Sequence, residues 1–135
     1  MEPRIEKFKI IVEKLPLGII IFDKHGKPVF CNKAFEMMWG ISKEALESYN
    51  LFDDKILKST NHLEQIKQVF EGKPYLFLEG YYDTLLEQGK GYKIWVETTL
   101  FPLLDDEGKI EYVVVSHKDI SEVKLALSVQ DDLWI

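Results

Sequence analysis

Two stretches of the chain share one pattern, Asp23-Lys24-His25-Gly26-Lys27 and Asp105-Asp106-Glu107-Gly108-Lys109, and each lies between apolar runs. In both, the aspartate can accept hydrogen bonds from the backbone just ahead of it, and the glycine can take the left-handed conformation that closes a tight turn. A chain that doubles back this sharply joins antiparallel strands. Between the first turn and Pro74 the periodicity is mainly helical, so the sequence implies strands near both ends of the chain with helices between them. That order predicts an α+β fold: an antiparallel sheet with helices on one face.

The elements follow from local signals. Residues 4–15 place Ile5, Phe8, Val12 and Leu15 at spacings of three and four, an amphipathic helix closed by Leu15-Pro16. Gly18 to Phe22 predicts a strand buried on both faces, because three consecutive isoleucines leave no polar side. Val29-Phe30-Cys31 is its short return, with Pro28 marking an edge or a strand start. Asn32 occupies the N-cap position of a helix with Ala34, Phe35, Met38 and Trp39 on one face, ended by Gly40. Ser42 to Leu46 starts a second helical piece, and residues 48–58 suit a loop with a turn or two of helix. Asn61 and Glu64 have capping-box spacing ahead of a helix whose apolar face is Leu63, Ile66, Val69 and Phe70. From Pro74 the period changes to two, which predicts strands over 75–82, 92–101 and 110–117. Asp119-Ile120-Ser121-Glu122 is a further helix start, followed by a stripe of Ile120, Val123 and Leu127.

Chemistry is sparse. The single cysteine, Cys31, cannot form an internal disulfide, which suits a reducing, cytoplasmic setting. Its place at a strand end makes it a small buried hydrophobe rather than a nucleophile. His25, His62 and His117 are isolated, so no sequence-local metal site is expected. Asp53-Asp54 and the Asp105–Glu107 cluster fall in loops and are expected to be solvated. No glycine-rich phosphate loop or G-x-S-x-G elbow is present. The net charge is −6 and Arg4 is the only arginine, which argues against nucleic acid as a partner. No apolar run approaches the roughly 20 residues of a membrane span. The chain is expected to be non-catalytic, with a small α+β enzyme using His62 or Cys31 as a rival reading.

Three quoted segments, in order and at suitable separations, resemble a PAS domain. "LGIIIFDKHGKPVFCNKAF" resembles the family's first hairpin and the asparagine-led helix after it. "MWGISKEAL" resembles its hydrophobic-Gly-aromatic-Ser-x-Glu-x-Leu segment, with Ile41 in the aromatic place. "IWVETTLFPLLDDEGKIEYVVVSHKDISE" resembles the last two strands and the closing Asp-Ile-Thr-Glu signature, with Ser121 for Thr. The resemblance covers roughly residues 5 to 125. It departs at "YDTLLEQGKG", where a short turn is replaced by a longer segment carrying Leu85 and Leu86.

The resemblance implies a five-stranded antiparallel sheet roofed by short helices around a small pocket. It divides the chain into an N-terminal flanking helix (1–16), a PAS core (17–119) and the start of a C-terminal signalling helix (120–135). Expected pocket residues are Phe35, Met38 and Trp39 on the first core helix and Ile66 and Phe70 on the long one. Phe77, Thr98, Leu100, Val114 and Ser116 are expected from the sheet, with Thr98 and Ser116 as the polar groups. Such walls suit a small apolar or amphipathic ligand. Asp119, Ser121 and Glu122 are expected to cap the signalling helix and relay through it. Ile5, Phe8, Val12 and Leu15 are expected to form a homodimer contact, or else to cover the outer face of the sheet that Trp95 and Phe101 would expose. The implied role is a sensory module of a signal-transduction protein with a histidine-kinase or GGDEF-type effector elsewhere in a longer chain. No cofactor is required by the sequence. A haem-based sensor with His62 as axial ligand is the alternative that the family allows.

Overall fold

A computed structural model describes residues 3–83 and 93–133, with side chains over 7–81 and 94–129. Leu85 and Leu86 of the long departure lie outside the described residues, as does the side chain of Ile5. The order is α1 (Pro3–Lys14), β1 (Gly18–Asp23), β2 (Pro28–Cys31), α2 (Lys33–Trp39), two 3-10 turns (Glu44–Ser48 and Leu51–Asp53), α3 (Lys55–Ser59), α4 (His62–Phe70), β3 (Leu76–Asp83), β4 (Lys93–Leu104), β5 (Ile110–Asp119) and α5 (Ser121–Leu133). The five strands form one antiparallel sheet in the order β2-β1-β5-β4-β3. The two hairpin-bearing ends of the chain meet where β1 pairs with β5.

The two aspartate–glycine turns are the same device used twice. Asp23 Oδ1 accepts from the amides of His25 and Lys27 at 2.9 and 3.0 Å. Asp105 Oδ1 accepts from those of Glu107 and Lys109, both at 2.9 Å. Gly26 and Gly108 sit at φ 83° and 81°, where a side chain is strained. Their surroundings differ. A Cβ on Gly108 would meet nothing, whereas one on Gly26 would lie 2.7 Å from the Phe52 ring and 2.9 Å from Asn50 Oδ1. The first turn is therefore also an anchor for the helical segment. Gly26 O accepts from the Leu51 amide at 2.9 Å, and Lys27 Nζ donates to Glu47 O at 2.8 Å.

Asn32 caps α2 as expected, and does more. Its Oδ1 accepts from the Phe35 amide at 3.0 Å and from the Ile19 amide at 2.9 Å. Its Nδ2 donates to Val12 O at 2.8 Å and Leu17 O at 2.9 Å. One fully buried carboxamide thus joins the end of α1, the link to β1, β1 itself and α2. At the far end of α2, Gly40 takes the left-handed cap predicted for it. The capping box at Asn61 does not form. Asn61 instead adopts φ 63° with no side-chain cap, because the chain must turn sharply between α3 and α4. Asp54, expected to be solvated, caps α3 through the Leu57 amide at 3.1 Å.

Strand register assigns the faces. Ile20 and Phe22 of β1 lie opposite Val115 and Val113, and Leu100 and Thr98 of β4 lie opposite Val115 and His117 on one side and Leu76 and Leu78 on the other. These residues face α2 and α4, which cover the sheet from one side. Phe77, Val114 and Ser116, expected inward, occupy the opposite face. Phe77 and Ser116 both pair with Thr99, and Val114 pairs with Phe101. A strand's side chains alternate, so an offset of one residue reverses the set. On that outer face Phe77, Tyr81, Trp95, Phe101 and Leu103 remain exposed.

Two outcomes follow. Gly108→Ala should cost about 1 kcal/mol from left-handed strain alone, while Gly26→Ala should cost clearly more because Phe52 and Asn50 must also shift; urea unfolding of the two variants measures the difference. Asn32→Ala should destabilise by roughly 3–5 kcal/mol. Asn32→Asp keeps the α2 cap but turns the donor edge into oxygen facing two carbonyls. Amide exchange should therefore quicken in residues 3–14 before it does in 33–39.

Candidate functional site

Between sheet and roof lies a cavity of about 130 Å³. Its floor is Ile20 and Phe22 of β1, Leu78 of β3, Thr98 and Leu100 of β4, and Val115 and His117 of β5. The roof begins with Phe35 and Trp39, whose spacing of four sets them on one face of α2, and with Ile66 of α4. Ile41, Leu46, Tyr49, Leu51, Ile56 and Leu57 close it from the segment between those helices. Of the residues expected at the pocket, Phe35, Trp39, Ile66, Thr98 and Leu100 line this cavity. Met38 and Phe70 are half-buried beside it, Met38 near Gly18 and Phe70 edge-on to Phe52 at 4.9 Å. Phe77, Val114 and Ser116 lie across the sheet from it, so their strands contribute Leu78, Val115 and His117 in their place.

His117 is the residue that sequence reasoning missed. Its Nδ1 accepts a hydrogen bond from the Trp39 indole N–H at 2.9 Å, and its ring meets Trp39 edge-on at 5.3 Å and Phe35 at 5.7 Å. The imidazole keeps some accessible surface as part of the cavity wall, yet protein surrounds it. Burial pushes its pKa from 6.5 down to about 4, so it is neutral near pH 7. Two other polar groups at the cavity are partners already: Tyr49 Oη donates to Asp54 Oδ2 at 2.5 Å. The signal that could have found His117 is its register, one strand across from Thr98.

The remaining candidates have plain positions. Cys31 is buried in the core, outside this cavity. Burial raises its thiol pKa and the Glu36 carboxylate adds to that, against a smaller pull from Lys43, with Glu13 adding least. Such a thiol is a poor nucleophile. His62 opens α4, half-buried, and is not among the cavity residues. A cavity of this size is also smaller than the several hundred Å³ that larger ligands occupy. Among the described residues, those lining this cavity do not fit a haem held by His62. Among the described residues no group of three or more His, Cys, Asp or Glu side chains could hold a metal ion, and no helix is long and apolar enough to cross a membrane.

The exit from the sheet is tightly built. Asp119 Oδ1 accepts from the Ser121 amide at 2.9 Å, capping α5. Ser121 Oγ accepts from the Trp95 amide at 3.0 Å, and the Ile120 amide donates to Trp95 O at 2.9 Å. Ile120, expected in the helical stripe, is instead buried at this junction. Glu122 is exposed in the first turn. Lys124 adds what the sequence did not suggest, an ion pair with Glu79 of β3 and a seat over the Trp95 ring at 4.9 Å. Val12 is half-buried, but Phe8 is 66% and Ile11 54% exposed, so α1 leaves most of its apolar stripe uncovered.

Neutral His117 makes stability depend on pH. Between about pH 4 and 6.5 the unfolded chain binds this proton and the folded one does not. The contribution is therefore complete above pH 6.5 and is lost as pH falls towards 4, by at most about 3 kcal/mol. Denaturant unfolding across that window should show the loss, and a His117→Gln variant should show a shallower one.

A family model described as PAS domain matches residues 16–122. No curated protein matches the chain. Among solved structures, a PAS domain of a protein from Colwellia psychrerythraea superposes with TM-score 0.72 at 17% identity, covering 88% of this chain and 98% of that one. The PAS domain of BvgS from Bordetella pertussis gives 0.64 at 17%, covering 98% and 97%. A domain of a sensory box sensor histidine kinase/response regulator from Geobacter sulfurreducens gives 0.67 at 17%, covering 86% and 94%. With the sheet order, the roof and the family match in agreement, the chain belongs to the PAS domain family.

Proposed function

We propose that this PAS domain is a sensory module that binds a small ligand in the cavity beneath α2 and α4 and passes the bound state to an effector through α5. One observation carries the reading: β5 contributes His117 to the cavity wall and, four residues later, becomes the capped start of α5. A ligand that favours one arrangement of Trp39 and His117 therefore acts on the strand that feeds the output helix. It shifts the equilibrium only by its difference in affinity for the two arrangements. The effector is of the histidine-kinase or GGDEF type, in a cytoplasmic signalling protein. The likeness to a domain of a sensor histidine kinase supports the first of these.

The apolar faces left uncovered on α1 and α5 are assigned to a homodimer. Phe8 and Ile11 of α1 and Leu15 just past its end follow at three and four, and Val123 and Leu127 lie four apart on α5, all exposed. Native mass spectrometry of freshly purified protein should show retained small-molecule mass and a dimer. Sedimentation at high micromolar concentration should give a dimer for the natural sequence and a monomer for Phe8→Glu/Ile11→Glu, with thermal stability little changed. A monomer before substitution removes the dimer from the proposal.

A further inference from the structure

We propose that the cavity binds an uncharged, roughly benzene-sized molecule carrying one hydroxyl or carbonyl oxygen, and that His117 Nε2–H and the Thr98 hydroxyl recognise that oxygen. The inference rests on the ligand-binding reading above and gives it a chemical class.

The tautomer comes from geometry. An indole N–H only donates, so the 2.9 Å contact with Trp39 makes His117 Nδ1 an acceptor without a proton. A neutral imidazole then carries its hydrogen on Nε2. Among the described residues, His117 makes no other side-chain hydrogen bond, and the hydroxyl of Thr98 makes none. The two residues are direct partners across β4 and β5, and both line the cavity floor.

The other polar groups of the wall are already engaged. Asp54 holds the Tyr49 hydroxyl with one carboxylate oxygen and the Leu57 amide with the other. The remaining walls are apolar, so a buried ligand oxygen can be matched at His117 and Thr98 and would otherwise go unpaired. Among the described residues no lysine or arginine lines the cavity, and an anion there would be desolvated without a counter-charge. The volume of about 130 Å³ compares with the roughly 150 Å³ of an apolar cavity that holds benzene. The rings of Phe35 and Trp39 in the roof suit a flat ligand.

Phenol, toluene and benzoate separate the possibilities. In a wholly apolar cavity toluene would outbind phenol about tenfold or more, because the hydroxyl would be buried unpaired. Calorimetric or NMR titration of the intact protein should instead find phenol binding at least as tightly as toluene, with benzoate not binding. Nitrogen-15 spectra should place the His117 proton on Nε2 and show that site moving with phenol and not with toluene. Thr98→Val, close in shape, should shift the preference several-fold towards toluene, and His117→Leu should shift it further. If toluene wins by tenfold in the unaltered protein, or the proton sits on Nδ1, the recognition of oxygen is wrong while a ligand cavity stands. If none of the three binds, the cavity reading fails as well.

Discussion

The fold hangs on the side chain of Asn32. A carboxamide has two hydrogens to give and one oxygen that can accept twice, and here all four are used on backbone groups of other residues. The groups it satisfies are an amide at the start of a helix, an amide of β1, and two carbonyls where α1 gives way to the sheet, of which Val12 O has otherwise only a long 3.4 Å bond from the Leu15 amide. Burying them would be costly without it. Aspartate has no donor to give, serine has only one, and glutamine carries its carboxamide one methylene farther from the backbone. The same residue that starts α2, and so places Phe35 and Trp39 over the sheet, also ties down α1. Roof and flanking helix therefore share one joint.

The sheet has two apolar faces with different fates. The inner one closes against α2 and α4, with Val96, Val113 and Leu100 almost wholly buried. The outer one carries exposed aromatic side chains, among them the Tyr81–Trp95 pair at 5.5 Å. Lys124 draws α5 towards that face through Glu79 and Trp95. Polar content is concentrated on the inside at a few places, chiefly His117, Thr98, and the Tyr49–Asp54 pair. That division keeps the interior able to hold an apolar body while offering it a few oriented contacts.

Much of this was legible because turns and caps have local causes. Asp23 with Gly26, Asp105 with Gly108, Asn32 and Gly40 each announce a backbone conformation within a few residues, and the structure places each there. Strand faces were less legible. The run Tyr112-Val113-Val114-Val115-Ser116 lacks the polar alternation that marks a solvent side, and Leu76-Phe77-Leu78 is apolar on both. The outer face is itself apolar, so period two loses its contrast and an offset of one residue goes unnoticed. Ser116 looks like the polar group of a pocket, and His117 looks like an isolated histidine. Which of them turns inward depends on pairing with Thr98 some 19 residues upstream in the chain. Asn61 shows the opposite limit: its spacing to Glu64 suits a cap, but the connection from α3 imposes a left-handed backbone that takes its side chain away.

The junction at Trp95 has a mechanical side. Both polar atoms of that residue's backbone are taken by residues 120 and 121, so no slack separates the ladder of the sheet from the first turn of α5. The heading of the helix is thereby tied to the local twist of two strands. Thirteen residues at 1.5 Å rise make a rod of roughly 20 Å. Tilting its base by about 5° swings the free end by nearly 2 Å, comparable to the helix shifts seen in switching proteins. A rotation too small to disturb the core is thus enlarged into a displacement that a neighbouring helix could register.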